Sequence, residues 1–235
     1  MDVLMAAAAV LGLGPALALM YIVLRKYTYP AVESPFFSDP RFFGLFVIGL
    51  IAGTVTFVIY TFFQWGSLFV AVAFALILEL IKLVVLNLRR FHGQSDTIFY
   101  GYGLGLGVGC TMAFGLIFYV SSGGSDLGSW VILIMMGMTY ILYQSSAGTT
   151  IGEGIARKRP WEFFLSALLI GLIVQMLFLP LFLSDVGLAL KYLSLTAALA
   201  VAAVFFYRTH FIKLPAIVRE ILRNEARRPN SERSD

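Results

Sequence analysis

Long apolar blocks alternate with short polar breaks along this chain. Seven runs stand out: Val3–Leu24, Phe42–Phe63, Ser67–Leu88, Thr97–Val120, Trp130–Gly152, Phe163–Leu183 and Leu188–Tyr207. Each is about 20 residues long, enough to cross a ~30 Å hydrocarbon core at about 1.5 Å per residue. Lipid offers no partner to a bare backbone, so only helices and closed barrels span it. Barrel strands would be about 9–11 residues long with alternating polarity, which these runs lack. Proline, glycine and serine mark the breaks at Tyr29-Pro30, Ser34-Pro35, Ser121–Ser125 and Arg159-Pro160. The predicted fold is all-α and polytopic, with seven transmembrane helices in 1–207 and a tail over 208–235.

Composition strengthens that reading. Apolar residues make up 60% of the chain and charged residues 13%, about half the charge a soluble domain carries. Charge placement then orients the spans. All of the 17 Lys and Arg residues except Lys82 and Lys191 fall in the first, third and fifth loops or in the tail. Short cytoplasmic loops carry this excess, which predicts an external N-terminus and a cytoplasmic tail, in a plasma (cell inner) membrane. Met1-Asp2 supplies no positive leader ahead of the first run, and Arg25-Lys26 follows it, the pattern of an uncleaved anchor. Basic residues at membrane edges imply a lipid bilayer as partner, not nucleic acid. In the tail, Pro215 opens an apolar stripe of Ile217, Val218, Ile221 and Leu222 beside Arg219 and Arg223, which predicts a short interfacial helix. The segment beyond Arg227 is expected to be disordered.

Polar groups within the spans are the next signal, because they are costly there. Glu79 and Lys82 lie in the third run, where each charge alone would cost about 2.5–3.5 kcal/mol. Their i, i+3 spacing shares a helix face and predicts a buried pair; a catalytic or ion-relay carboxylate is the alternative. Gln144, Ser145, Ser146, Thr149 and Thr150 make the fifth run the most polar, so it should face the interior. With Gln175 in the sixth, a hydrogen-bonded network of Glu79, Lys82, Gln144 and Gln175 is expected; a substrate-facing cavity is the sharper possibility. In the fourth run, Gly101, Gly105 and Gly109 form one row and Gly103 and Gly107 another, about 200° round the helix. Small residues so spaced let helices approach closely. Two rows predict one neighbour inside the bundle and another helix on a second side, from a partner chain.

Ligand counting predicts no metal and no cofactor. Catalytic zinc needs about three protein ligands, and His92 and His210 read as edge residues, leaving Glu79 and Cys110 at depth. No Ser–His pair and no aspartyl dyad can be assembled from the spans.

The segment LELIKLVVLNLRRFHGQSDTIFYGYGLGLGVGCTMAFGLIFY resembles the PrsW-type intramembrane metalloproteases, relatives of the CAAX-processing (Abi) proteases. That family pairs a Glu-Glu-x-x-Lys motif with a glycine-containing helix ending in Glu-Asn, and a later histidine. Glu79, Lys82, Gly105 and Gly107 match. The first glutamate is replaced by Leu78, the Phe and Glu-Asn positions by Val108, Met112 and Ala113, and the histidine by Gln144. The layout also resembles the anterior-pharynx-defective scaffold subunit of gamma-secretase: LGPALAL opens the first run, Glu79 lies in the third, Gly103 and Gly107 in the fourth, and ARKRPW follows the fifth. That subunit's histidines in the fifth and sixth spans are absent here. The resemblance implies a superfamily member without the metalloprotease ligands, acting as a scaffold that holds other membrane proteins. An active protease around Glu79 and a small transporter using Glu79 and Lys82 are the alternatives.

Overall fold

In the computed structural model, residues 2–29, 31–32, 36–63, 66–121 and 127–227 are described. Pro30, Ser34, Pro35, the 122–126 break and the tail beyond Arg227 lie outside them. Every regular element among the described residues is helical: α1 Asp2–Leu24, α2 Asp39–Thr61, α3 Leu68–Leu86, α4 Thr97–Ser121, α5 Leu127–Ala156, α6 Pro160–Phe182, α7 Leu188–Tyr207 and α8 Leu214–Arg227. A 3₁₀ turn, Arg89–Phe91, precedes α4, and a π-turn, Arg208–Lys213, joins α7 to α8. Seven of these helices are long and apolar enough to cross a membrane, so the chain is an integral membrane protein by length and composition.

α4 and α5 are the interior pair: 83% and 72% of their spanning windows are buried, against at most 44% in any other span. Glycine explains how α4 is sheathed so closely. A Cβ on Gly101 would fall on the Gly148 carbonyl, one on Gly105 on the Gln144 carbonyl, and one on Gly109 would lie 2.9 Å from the Ile141 Cα. These are all α5 backbone atoms. A Cβ on Gly107 would strike the Phe46 carbonyl, and one on Gly103 would lie 3.0 Å from the Phe42 ring, both in α2. Both rows are therefore consumed inside the chain, one by α5 and the other by α2. The expectation that one row awaits a partner chain is not met. The α2 and α5 surfaces reply with glycines of their own. Gly49 meets Leu104 and Gly107, and Gly148 and Gly152 meet Gly101 and Thr97.

Basic residues that follow α1 and α5 meet those of α8 at one end of the bundle. The α5–α6 connection closes there with a helix stop in which Lys158 N–H donates to Ile155 at 3.1 Å and Arg159 N–H to Gly154 at 2.7 Å. Lys158 takes φ 59°, the left-handed geometry usually left to glycine at this position. Pro160 then starts α6 at its first position, where its missing N–H costs nothing. At the same end Lys26 lies over the Phe211 ring at 5.7 Å, and Arg157 reaches Glu220 at 3.2 Å. The neighbouring Tyr27 hydroxyl is pushed above its usual pKa by burial, with Arg219 pulling the other way.

The last helix runs further than the hydropathy pattern indicates, continuing from α7 at Leu188 through the π-turn into α8. Pro215 does not break it. Proline has no N–H for the carbonyl four residues back and its ring clashes with that carbonyl. The wide turn just before it, with Leu214 N–H bonded to the Thr209 carbonyl, accommodates the ring. Within α8, Leu214, Ile217 and Val218 are buried in the protein core while Leu222 is half exposed. Ile217 and Val218 of the stripe therefore pack on the protein itself, and the Ile221 side chain lies outside the described residues.

Candidate functional site: a sealed polar cluster between three helices

The buried face of α3 is set by helical periodicity: Val70, Ala71, Phe74, Ala75, Leu78, Glu79, Lys82, Leu83 and Leu86 are its interior residues. Glu79 and Lys82 therefore point inward, and both are 0% exposed. Lys82 Nζ donates to Glu79 Oε1 at 2.7 Å and to Gln144 Oε1 at 2.5 Å. The Tyr143 hydroxyl donates to the same Glu79 oxygen, and its ring lies 5.4 Å from Lys82 Nζ. One carboxylate oxygen is thus capped by an ammonium and a phenol, and the ammonium is shared with an amide.

α5 supplies its part through spacing. Tyr140, Tyr143 and Gln144 stand at i, i+3 and i+4, one face of a helix. Tyr140 O–H donates to Gln175 Oε1 of α6 at 3.1 Å, so Gln175 belongs to an adjoining pair and not to the Glu79–Lys82 cluster itself. α6 makes room for Tyr143 with Gly171, where a Cβ would fall on the phenolic oxygen. The two tyrosines and Gly171 do not stand out in the sequence, where charged, amide, serine and threonine residues mark the polar positions of the spans. Their spacing from Gln144 and Gln175 was the available signal.

Two polar atoms in the cluster, Glu79 Oε2 and Gln144 Nε2, are buried with no hydrogen-bond partner. The remaining polar residues of α5 look after themselves. Ser146 donates to Leu142 at 2.7 Å, Thr149 to Ser145 at 2.8 Å and Thr150 to Ser146 at 2.8 Å, all carbonyls one turn back. Hydroxyls bonded in this way need no cavity, and of the three only Thr149 also meets another element, at His210. Glu153 pairs with Arg157 at 2.9 Å near the surface.

The two histidines separate. His92 is exposed and bonds to Asn87. His210, read from sequence as an edge residue, is buried at 3% exposure. Its Nδ1 faces the Phe206 carbonyl at 3.1 Å and its Nε2 the Thr149 hydroxyl at 3.0 Å, while the Tyr102 ring lies tilted by 60° with its centroid 4.8 Å away. His210 continues the buried face of α7, four residues after Phe206 and eight after Ala202. Cys110 is buried and free. Among the described residues no three His, Cys, Asp or Glu side chains gather where they could hold a metal.

Chemically, the cluster is suited to holding α3, α5 and α6 in register. A general base or metal ligand must meet a substrate or an ion, whereas Glu79 meets Lys82 and Tyr143 inside a closed interior. Compared with known proteins, the chain matches no protein-family model, no curated protein and no solved structure.

Proposed function

We propose that this chain is a non-catalytic membrane scaffold or partner subunit that holds other membrane proteins by helix–helix contact. The carrying observation is the state of Glu79. The carboxylate that corresponds to the protease motif is fully enclosed and engaged on Oε1 by Lys82 and Tyr143. Such a group serves structure at the place where the resembling proteases do chemistry. The scaffold role itself comes from the likeness in layout to the anterior-pharynx-defective subunit.

Purification in mild detergent, followed by identification of co-purifying chains, is the direct test. A stoichiometric membrane-protein partner is the expected result. Metal analysis of the same preparation should give well under one equivalent of zinc. One equivalent of zinc that disappears in Glu79→Gln, together with cleavage of a membrane substrate, would establish the protease instead. A second reading, a small transporter with Glu79 and Lys82 as a charge relay, draws on the two unpartnered atoms Glu79 Oε2 and Gln144 Nε2. Proton-coupled flux in liposomes, abolished by Glu79→Gln, would select it.

The proposed orientation has the N-terminus outside, the basic end of the bundle in the cytoplasm, and the plasma membrane as host. Its support is the clustering of basic loops at one end. A reporter fused after Arg228 should read cytoplasmic and one after Gly124 external. Both reporting one compartment would break the span count.

A further inference from the structure

We propose that the groove between α6 and α7 at the basic end is a binding site for an anionic phospholipid. Arg208 and Lys213 would take the phosphate, and the apolar wall above them the start of an acyl chain. The groove has a volume of about 490 Å³ and is lined at one end by Arg208, Lys213 and Ser166, and along its length by Ile170, Val201 and Val204. That size lies within the ~300–1,000 Å³ range of ordinary ligand sites.

The π-turn makes the head of the site. In a regular α-helix, residues five apart point about 140° away from each other. The wide turn hydrogen-bonds i to i+5, as Leu214 N–H does to the Thr209 carbonyl, and so brings residues five apart onto one face. Arg208 and Lys213 both line the groove, with Thr209 between them. Neither cation forms an ion pair among the described residues, whereas the α6 acid one turn before Ser166, Glu162, already pairs with Arg159 at 3.6 Å. No acidic side chain lines the groove. Two unpaired cations above an apolar slot are complementary to one kind of molecule abundant at that depth, a lipid with an anionic head. Basic clefts between spanning helices commonly take such heads. A comparable cleft at α2, lined by Arg41 and Arg90, is less suited, because Arg90 already lies 4.6 Å from the Phe91 ring.

The experiment is native mass spectrometry of the full chain released from mixed micelles containing equal amounts of phosphatidylglycerol and phosphatidylcholine. Retained lipid should be mainly phosphatidylglycerol. Arg208→Gln and Lys213→Gln should each lower its retention about fivefold, the worth of one cation near an anionic headgroup. Val204→Trp, which fills the slot from an exposed position and leaves both charges in place, should lower it as well. Millimolar inorganic phosphate should not compete, because it lacks the acyl chain. The proposal is overturned if the Gln variants retain lipid like the parent, or if Arg41→Gln with Arg90→Gln loses as much as they do. It is equally overturned if Val204→Trp is silent or if inorganic phosphate displaces the lipid. Loss of a co-purifying protein with lipid retention unchanged would assign the groove to a protein partner.

Discussion

Gly105→Ala and Gly107→Ala should each lower the melting temperature of the purified protein sharply, although each adds only one methyl group. At Gly105 the new Cβ would fall on the Gln144 carbonyl and stand 3.1 Å from the Ser145 Cα. At Gly107 it would fall on the Phe46 carbonyl and stand 2.8 Å from the Leu50 nitrogen. Side chains can rotate away from an intruder, but main-chain atoms of a packed helix cannot. The helix pairs would have to separate along their length, opening gaps beside the glycines that still touch. Overpacking typically costs about 1–3 kcal/mol, and steric conflict with backbone belongs at the upper end or beyond. Gly14→Ala and Gly187→Ala are the controls, since nothing lies within 4 Å of a Cβ at either place. Gly14→Ala, within α1, should be neutral or stabilising by up to about 1 kcal/mol, because alanine loses less backbone freedom in a helix. Thermal unfolding followed by circular dichroism in one detergent measures all four. Equal tolerance at Gly107 and Gly14 would mean that α2 and α4 do not approach as closely as described.

The same glycines show what the sequence could convey. Their spacing of four announced close helix contact, and the contact is there. It did not announce which neighbour each row would meet, because a row of small residues is a groove without an address. The address is written on the other strands of the alphabet: Gly49 and Gly53 in α2, Gly148 and Gly152 in α5, each pair again spaced by four. Reading them together would have assigned both rows internally. The spans themselves were legible because hydropathy over about 20 residues is a strong signal. The end of α7 was not, because hydropathy falls at Arg208 while the helix continues through a π-turn. His210 was lost with it: the i+4 row Ala198, Ala202, Phe206 leads straight to His210 once the helix is carried past Tyr207. In the polar cluster, Glu79, Lys82 and Gln144 stood out because charge and amide groups are rare in lipid. Tyr140 and Tyr143 did not, because a tyrosine in an apolar helix looks like any other large side chain until its hydroxyl is found to have a partner.

Removing one member of the Glu79–Lys82 pair should destabilise the protein more than removing both. Both side chains are fully enclosed and separated by 2.7 Å, so neither is relieved by solvent when the other is lost. Breaking a buried pair on one side leaves an uncompensated charge and costs roughly 3–5 kcal/mol. In Lys82→Met the Glu79 carboxylate would keep only the Tyr143 hydroxyl, on an oxygen whose twin already has no partner. In Glu79→Gln the Lys82 ammonium would keep Gln144 Oε1 and an amide oxygen in place of a carboxylate. The double change Glu79→Gln with Lys82→Met removes both charges and retains polar contacts for Tyr143, so its cost should be smaller than that of either single change. Tyr143→Phe is the companion variant. It deletes one donor to Glu79 without altering charge, and should cost about 1–3 kcal/mol, the range for leaving a buried acceptor short of a bond. Unfolding free energies of the parent, the two single variants and the double variant close a double-mutant cycle that gives the Glu79–Lys82 coupling. A favourable Glu79–Lys82 coupling, with no accompanying loss of a transport or proteolytic activity, is the signature of a structural clamp. Single changes that leave the melting temperature where it was, yet abolish flux or cleavage, would move the pair from architecture to chemistry and remove the observation on which the scaffold reading rests.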